Sequence, residues 1–124
     1  MLDHVSLAVG SLARSRAFYD AVLAPLGYRC LWATDGAAGY GSSGADEPFA
    51  IGAMSEAVVP ASCTHIAFTA ADRSSVTAFY EAAIASGGFD DGGVGLHQEY
   101  GLGYFAAFVR DADGNRLEAV VHER

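Results

Sequence analysis

Lysine is absent from this sequence, and its seven basic residues are all arginine, against 15 acidic residues. The formal net charge of −8 argues against nucleic acid or an anionic membrane surface as a partner, because both attract basic proteins. No apolar run approaches the ~20 residues of a membrane-spanning helix, and the opening MLDHVSLAVG lacks the basic segment and cleavage site of a signal peptide. We therefore expect a cytoplasmic protein without a membrane segment.

Cysteine is scarce as well. Cys30 and Cys63 form no CxxC pair, and two lone thiols are most simply core residues of a cytoplasmic protein. The 124 residues, of which 52% are hydrophobic and 18% charged, can bury a core without disulfides. We predict a single domain over 1–124.

What the sequence does contain is an internal repeat. An offset of 61 positions aligns 4–27 with 65–88, so that His4 falls on His65 and both copies carry an Ala-Phe-Tyr motif. A repeat of this kind predicts two copies of one supersecondary unit, each opening with a histidine.

Each copy is predicted to run from a strand through a helix into further strands. In the first, the residue pattern predicts strands at 3–9, 28–33, 37–42 and 49–54 and a helix at 12–26. In the second, it predicts strands at 64–70, 104–110 and 116–122, a helix after Asp72, and a Gly-rich rim loop at 89–103. The modules extend over about 1–54 and 63–124, with a connector at 55–62.

One helix per module can cover only one face of that module's strands. The modules must then share the other face, and we predict an α+β fold in which two βαβββ modules form a curved mixed sheet around a shared cavity. His4 and His65 each share a strand face with small residues, while the bulky side chains alternate to the helix side. Both histidines are therefore expected to point into the cavity.

Glu118 interrupts the apolar strand 117–121, where a charge should not be buried alone. With His4 and His65 it can form a facial set of two imidazoles and one carboxylate, which suits Fe(II), Mn(II), Zn(II), Ni(II) or Co(II). Taken singly, each residue has an ordinary explanation as an exposed or hydrogen-bonded histidine or a solvent-facing glutamate. The repeat-related placement of the histidines favours the metal site.

Several segments carry a resemblance to a known family: the openings DHVSLAV and THIAFTA, the helix motifs AFYDAVL and AFYEAAI, and the closing VRDADGNRLEAV. Over essentially its whole length the sequence resembles the glyoxalase/bleomycin-resistance/extradiol dioxygenase superfamily, also called vicinal oxygen chelate proteins. The resemblance implies paired βαβββ units, a divalent metal at the cavity and frequent dimerisation. It places His4, His65 and Glu118 at three metal-ligand positions.

One departure from the family pattern bears on the reaction. Glyoxalase I-type members carry a fourth ligand, a Glu or His, on the last strand of the first unit. Here the strand 49–54 offers none, unless Glu47 or Glu56 reaches in from its ends. This counts against a lactoylglutathione lyase, and the three-ligand pattern resembles extradiol dioxygenases more.

Five further residues are candidates for the cavity. His97 is a candidate general acid or base, because imidazole titrates near neutrality, although the sequence favours a position on a mobile, solvent-exposed loop. Tyr100 is the second catalytic candidate, through a hydrogen bond to a bound oxyanion. Tyr104, Arg116 and His122 are predicted to line the substrate site, and Arg116 could hold a carboxylate, including that of Glu118.

The function expected from these residues is that of a metal-dependent enzyme of lyase, isomerase or dioxygenase type. It would chelate the oxygens of a small-molecule substrate on the metal and act as a homodimer. The alternative is a non-catalytic small-molecule binding or drug-sequestering protein of the bleomycin-resistance type. The cavity could be completed within one chain or by exchange of modules between two chains.

Overall fold

The computed structural model describes residues 2–42, 47–53 and 64–123. Its first module contains β1 (Val5–Val9), α1 (Leu12–Leu23), a 3₁₀ turn (Ala24–Leu26), β2 (Arg29–Ala33), β3 (Ala37–Gly41) and β4 (Phe49–Ala53). Its second contains β5 (His65–Thr69), α2 (Arg73–Ala85), β6 (Phe89–Leu96), a 3₁₀ turn (Gln98–Tyr100), β7 (Tyr104–Arg110) and β8 (Arg116–His122). The order βαβββ occurs twice, which confirms the predicted α+β fold class.

Each module forms its own four-stranded mixed sheet. The strand orders are β1-β4-β3-β2 and β5-β8-β7-β6, and only the pairs β1–β4 and β5–β8 are parallel. The two sheets repeat one register, because Ser6 pairs with Ala50 in the first and Ala67 pairs with Glu118 in the second. Within the described residues no ladder joins the two sheets, so β1 and β5 are edge strands that pair on one side only.

Both helices begin at a side-chain cap. The Ser11 side chain accepts a hydrogen bond from the Arg14 backbone N–H, and the Asp72 side chain accepts one from that of Ser75. The first helix tightens into a 3₁₀ turn at Ala24–Leu26, and Gly27 ends it at a φ of 87°, where a side chain would be strained. The caps fix where each helix starts over its sheet.

The core lies where the helices meet the sheets. Helix α1 contacts β2 and β4, helix α2 contacts β6, β7 and β8, and the two helices contact each other. One continuous cluster of buried side chains therefore joins both modules, and the rings of Phe49 and Phe68 meet edge to face at 5.1 Å across them. Neither helix covers the opposite face of the two sheets.

The turn between β7 and β8 binds the two modules together. The Gly10 backbone N–H donates to Asp113 Oδ1 at 3.1 Å, and Arg14 Nη2 lies 3.5 Å from the same oxygen. Gly114 turns the chain at a φ of 87° and donates its N–H to the Asp111 carbonyl at 3.1 Å. Residues 111–115 thus form a tight turn, and Asp113 ties this turn to the start of α1.

One segment differs from its prediction. The stretch 89–103 is not a loop throughout, because residues 89–96 form β6, which pairs with β7 along its length. Its glycines have low strand propensity, but pairing with an apolar neighbour overrides that propensity. A bulge between Asp90 and Gly93 absorbs the irregularity, with Gly92 at a φ of 145° and Gly93 at 74°.

The predicted connector at 55–62 lies outside the described residues, as do Met54, at the end of the last predicted strand of the first module, and Cys63. No helix among those described is long and apolar enough to cross a membrane.

Candidate metal centre

His65 and Glu118 meet on the face of the second sheet that α2 leaves uncovered. They stand on neighbouring strands, at the first residue of β5 and in the middle of β8. His65 Nε2 lies 2.8 Å from Glu118 Oε1, within hydrogen-bond distance. The pairing arises because strand alternation sends both side chains to the sheet face opposite α2.

Glu118 is 2% exposed, so its carboxylate depends on partners within the protein. The second oxygen, Oε2, accepts a hydrogen bond from the Tyr104 hydroxyl on the adjacent strand β7. Burial and, after it, the bond to Glu118 raise the pKa of Tyr104 well above its usual value. Tyr104 therefore stays a protonated donor at neutral pH, and Glu118 is held from two sides.

These residues form the floor of a cleft of about 270 Å³ on the second sheet. Its lining contains five of the predicted site residues together with one aromatic side chain that the sequence did not single out, namely His65, Tyr100, Tyr104, Phe108, Arg116 and Glu118. The cleft thus combines a histidine and a carboxylate, which are side chains that can bind a metal, with one guanidinium and several aromatic rings.

Arg116 does not hold Glu118, one of the options considered for it. Its Nε donates instead to Asp91 Oδ2 at 2.7 Å, and Arg110 Nε lies 3.3 Å from the other oxygen of the same carboxylate. Burial raises the pKa of Asp91, but the bond to Arg116 and the charge of both guanidiniums outweigh it, so that the pKa is lower than usual. The three side chains carry a net positive charge beside the cleft.

His97 and His122 lie next to this cleft. The His97 ring packs edge to face on Phe108 at 4.9 Å, and its Nδ1 lies 3.2 Å from Glu99 Oε1. The His122 ring packs edge to face on Tyr104 at 5.0 Å. Both therefore buttress aromatic residues of the cleft, and neither ring is in contact with Glu118.

His4 is not brought to the other two predicted ligands within one chain. Its side chain is 61% exposed, its Nδ1 lies 2.8 Å from Asp3 Oδ1, and it lines a separate cleft on the first sheet beside Trp32 and Glu47. Within residues 2–42, 47–53 and 64–123, no group of three or more histidine, cysteine or acidic side chains could hold a metal ion. Within one chain, two of the three predicted ligands, His65 and Glu118, thus come together.

The shared register shows which residue of the first sheet occupies the position of the fourth ligand. Ala50 pairs with Ser6 as Glu118 pairs with Ala67, so Ala50 occupies in the first sheet the place of Glu118 in the second. A methyl group cannot bind a metal. Of the two alternatives, Glu47 lines the same cleft as His4, and Glu56 lies outside the described residues.

Two residues of the site, Phe108 and Asp91, were not predicted from the sequence. Phe108 was detectable, because it alternates with Tyr104 on a strand next to Glu118. Asp91 was hidden in the stretch interpreted as a loop, although a bulged strand places it against Arg116.

The fold and the cleft define a class of protein: two βαβββ modules, each with an uncovered sheet face that carries polar residues. A family model for the Glyoxalase/Bleomycin resistance protein/Dioxygenase superfamily matches residues 1–119. The chain belongs to this superfamily.

Solved structures agree with the family match. A glyoxalase/bleomycin resistance protein from Albidiferax ferrireducens T118 is 30% identical, with a TM-score of 0.86 over 97% of this chain and 98% of that one. A family enzyme from Burkholderia phytofirmans PsJN gives 15% identity and a TM-score of 0.72 over 98% of each chain. The fosfomycin resistance protein FosX from Mesorhizobium loti gives 17% identity and a TM-score of 0.70 over 99% and 92%. No curated protein matches the sequence.

Proposed function

We propose that this protein is a metal-dependent enzyme that binds the oxygens of a small substrate on a divalent cation held by His65, Glu118 and His4. The observation that carries the proposal is the contact of 2.8 Å between His65 Nε2 and Glu118 Oε1 on the floor of an aromatic-lined cleft. Imidazole nitrogen and carboxylate oxygen are ligands that Zn(II), Fe(II), Mn(II), Ni(II) and Co(II) accept. Members of the superfamily typically bind divalent metals.

The third ligand would come from a second copy of the chain. The edges of β1 and β5 that carry no ladder among the described residues present unpaired backbone groups, which favour pairing with another strand. A two-fold dimer that sets β1 of one chain beside β5 of the other would bring His4 of the partner subunit toward His65. We therefore propose a homodimer with two composite sites, which is the module-exchange alternative.

In this site a bound cation would act as a Lewis acid on the substrate oxygens. The residues of the chain supply the rest. Tyr104 keeps the Glu118 carboxylate oriented, because its hydroxyl donates to Oε2. Tyr100 and Phe108 present aromatic rings against which a planar substrate can pack. Lyase, isomerase and dioxygenase chemistry are all compatible with this set.

One observation favours the second candidate, a binding protein without catalysis. Both oxygens of Glu118 already have partners within the chain, His65 and Tyr104, so the buried carboxylate is satisfied without a cation. A pure binder would use the same cleft for an aromatic ligand and take up no metal.

Metal uptake separates the two candidates. The purified chain is treated with chelator, titrated with Zn(II) or Mn(II), and its metal content is measured by elemental analysis. We expect about one metal per chain, and less than about a tenth of an equivalent would leave the binding protein as the function. His65→Ala should abolish uptake, whereas His97→Ala, which removes a neighbouring imidazole outside the ligand set, should retain it.

The proposed dimer is tested by a separate measurement of the oligomeric state. Light scattering coupled to size exclusion gives the mass in solution, and a monomer would contradict the composite site. Mixing His4→Ala with His65→Ala chains tests the exchange directly, since a mixed dimer regains one complete site of its two. A cytoplasmic location completes the proposal and rests on the lone thiols of the sequence.

A further inference from the structure

Arg116 differs from every other residue that lines the cleft of the second sheet. It is the only permanently charged cation among the described lining residues, in a chain of formal net charge −8. It pairs with His65 across the β5–β8 ladder, which places its guanidinium on the same sheet face as His65 and Glu118. The position of this guanidinium beside His65 and Glu118, in the lining of the cleft, calls for a chemical reason.

The contacts of Arg116 leave its terminal nitrogens available. Only Nε is used, in the bond of 2.7 Å to Asp91, and no hydrogen bond from the Nη atoms occurs among the described residues. Arg110, which shares Asp91, instead donates Nη1 to the Gly114 carbonyl at 3.0 Å and does not line the cleft. Asp91 thus holds the Arg116 side chain through Nε, and among the described residues neither Nη group has a hydrogen-bond partner.

We propose that Arg116 recognises a carboxylate on the substrate, so that the substrate class is a planar, preferably aromatic, acid whose other oxygens approach His65 and Glu118. The proposal rests on the proposed function for those other oxygens. Three features of the cleft fit the three parts of such a molecule. The guanidinium of Arg116 offers a planar pair of N–H groups to a carboxylate, and the rings of Tyr100, Tyr104 and Phe108 can pack against the substrate ring. The remaining substrate oxygens then lie toward His65 and Glu118.

The net charge of the cluster formed by Arg110, Arg116 and Asp91 favours an anionic substrate over a neutral one. Two guanidiniums share the single carboxylate of Asp91, so these three side chains carry a net positive charge next to the cleft, and in the proposed site the bound cation neutralises the other carboxylate of the lining, Glu118. A neutral substrate would leave that charge unused, whereas a carboxylate would neutralise it and form a charge-assisted hydrogen bond.

A matched pair of probes tests the proposal on the full chain. We use 3,4-dihydroxybenzoate and 3,4-dihydroxybenzamide, which share the ring and the vicinal oxygens and differ in charge. Binding to the protein with Zn(II), which is redox-inert, is measured by titration calorimetry. We expect the acid to bind roughly tenfold more tightly than the amide, the ratio that one charge-assisted hydrogen bond supplies.

Substitutions assign this preference to Arg116. Arg116→Gln should bring the ratio of the two affinities near one by weakening only the acid, and Arg116→Lys should restore part of the preference. Arg29→Gln removes the same charge from β2, at the far edge of the first sheet, and should leave the ratio unchanged. Circular dichroism establishes that each variant is folded.

Repeating the titration after chelator treatment separates this proposal from the metal site. A ratio that survives while both probes weaken supports both, and a ratio that survives in a protein that takes up no metal supports Arg116 recognition alone. Three results would overturn the assignment: equal binding of acid and amide by the wild-type chain, an unchanged ratio in Arg116→Gln, or binding of neither probe with or without Zn(II).

Discussion

The Tyr19 hydroxyl donates a hydrogen bond of 2.6 Å to Asp111 Oδ2, between residues 92 positions apart. Tyr19 is on α1 of the first module, and Asp111 follows β7 of the second. Asn115 Nδ2 donates to the same oxygen at 2.9 Å, and the backbone N–H groups of Asp113 and Asn115 donate to Oδ1. Burial and, after it, the charge of Asp111 raise the pKa of Tyr19 well above its usual value, so Tyr19 stays a donor.

Removing that hydroxyl should therefore weaken the junction of the modules. Tyr19→Phe is expected to lower the free energy of unfolding by about 1–3 kcal/mol, because it deprives a buried carboxylate of one partner. Urea denaturation followed by circular dichroism measures the change. Tyr40→Phe is the matched control, because the Tyr40 hydroxyl donates to Asp20, which is exposed and can turn to water. Equal losses in the two variants would contradict a special role for Asp111.

A second prediction concerns Gly39 and its contact with Trp32, the single tryptophan of the chain. A Cβ at Gly39 would lie 2.2 Å from Trp32 Nε1, so Gly39→Ala must push the indole off the first sheet. We expect a shift of the Trp32 fluorescence emission and a lower midpoint of thermal unfolding. Gly36→Ala places its methyl group where no atom lies within 4 Å and should leave the emission unchanged. Identical spectra for wild type and Gly39→Ala would show that the indole does not cover Gly39.

A third prediction concerns pH and the Asp91 carboxyl, whose pKa is lower than usual in the folded protein. A lowered pKa contributes stability above the unfolded pKa of about 3.9, and that contribution disappears as pH falls through the folded value. Asp91→Asn should accordingly destabilise the protein near neutral pH, and its difference from wild type should shrink as pH falls below about 4. Urea titrations across this range measure it. A difference that is constant with pH would mean that Asp91 acts by packing and not by charge.

Strand alternation explains how much of the site the sequence could predict. A period of two residues sends His65, Glu118 and Tyr104 to the face opposite the helix, and this holds whatever the rest of the fold does. The pairing of β5 with β8 then brings His65 and Glu118 into contact. The α+β class followed from the repeat in the same way, because each copy carries its own strand and helix signals.

The relation of the two sheet faces could not be predicted by the same argument. Alternation says which face His4 occupies, but not whether the first module of a chain completes the site of its own second module or that of another chain. The answer depends on how the two modules are placed relative to each other, which a two-residue period does not encode. Asp91 was missed for a different reason: the three glycines of β6 lower its strand propensity, and the strand is ordered by its pairing with β7.

The contact between Tyr104 and Glu118 leads to the last prediction, which rests on the proposed metal site. Tyr104→Phe removes the donor to Oε2 and frees the carboxylate to turn, so we expect the affinity for Zn(II) to fall roughly tenfold or more. Competition against a chromophoric chelator measures this affinity. Tyr100→Phe is the control, because it alters the same cleft at a hydroxyl that makes no hydrogen bond among the described residues. If both variants bind Zn(II) as wild type does, Tyr104 is a wall of the cleft and not a support for the ligand. A loss in Tyr104→Phe alone would show that the order of the carboxylate, and not only its presence, sets the affinity of the site.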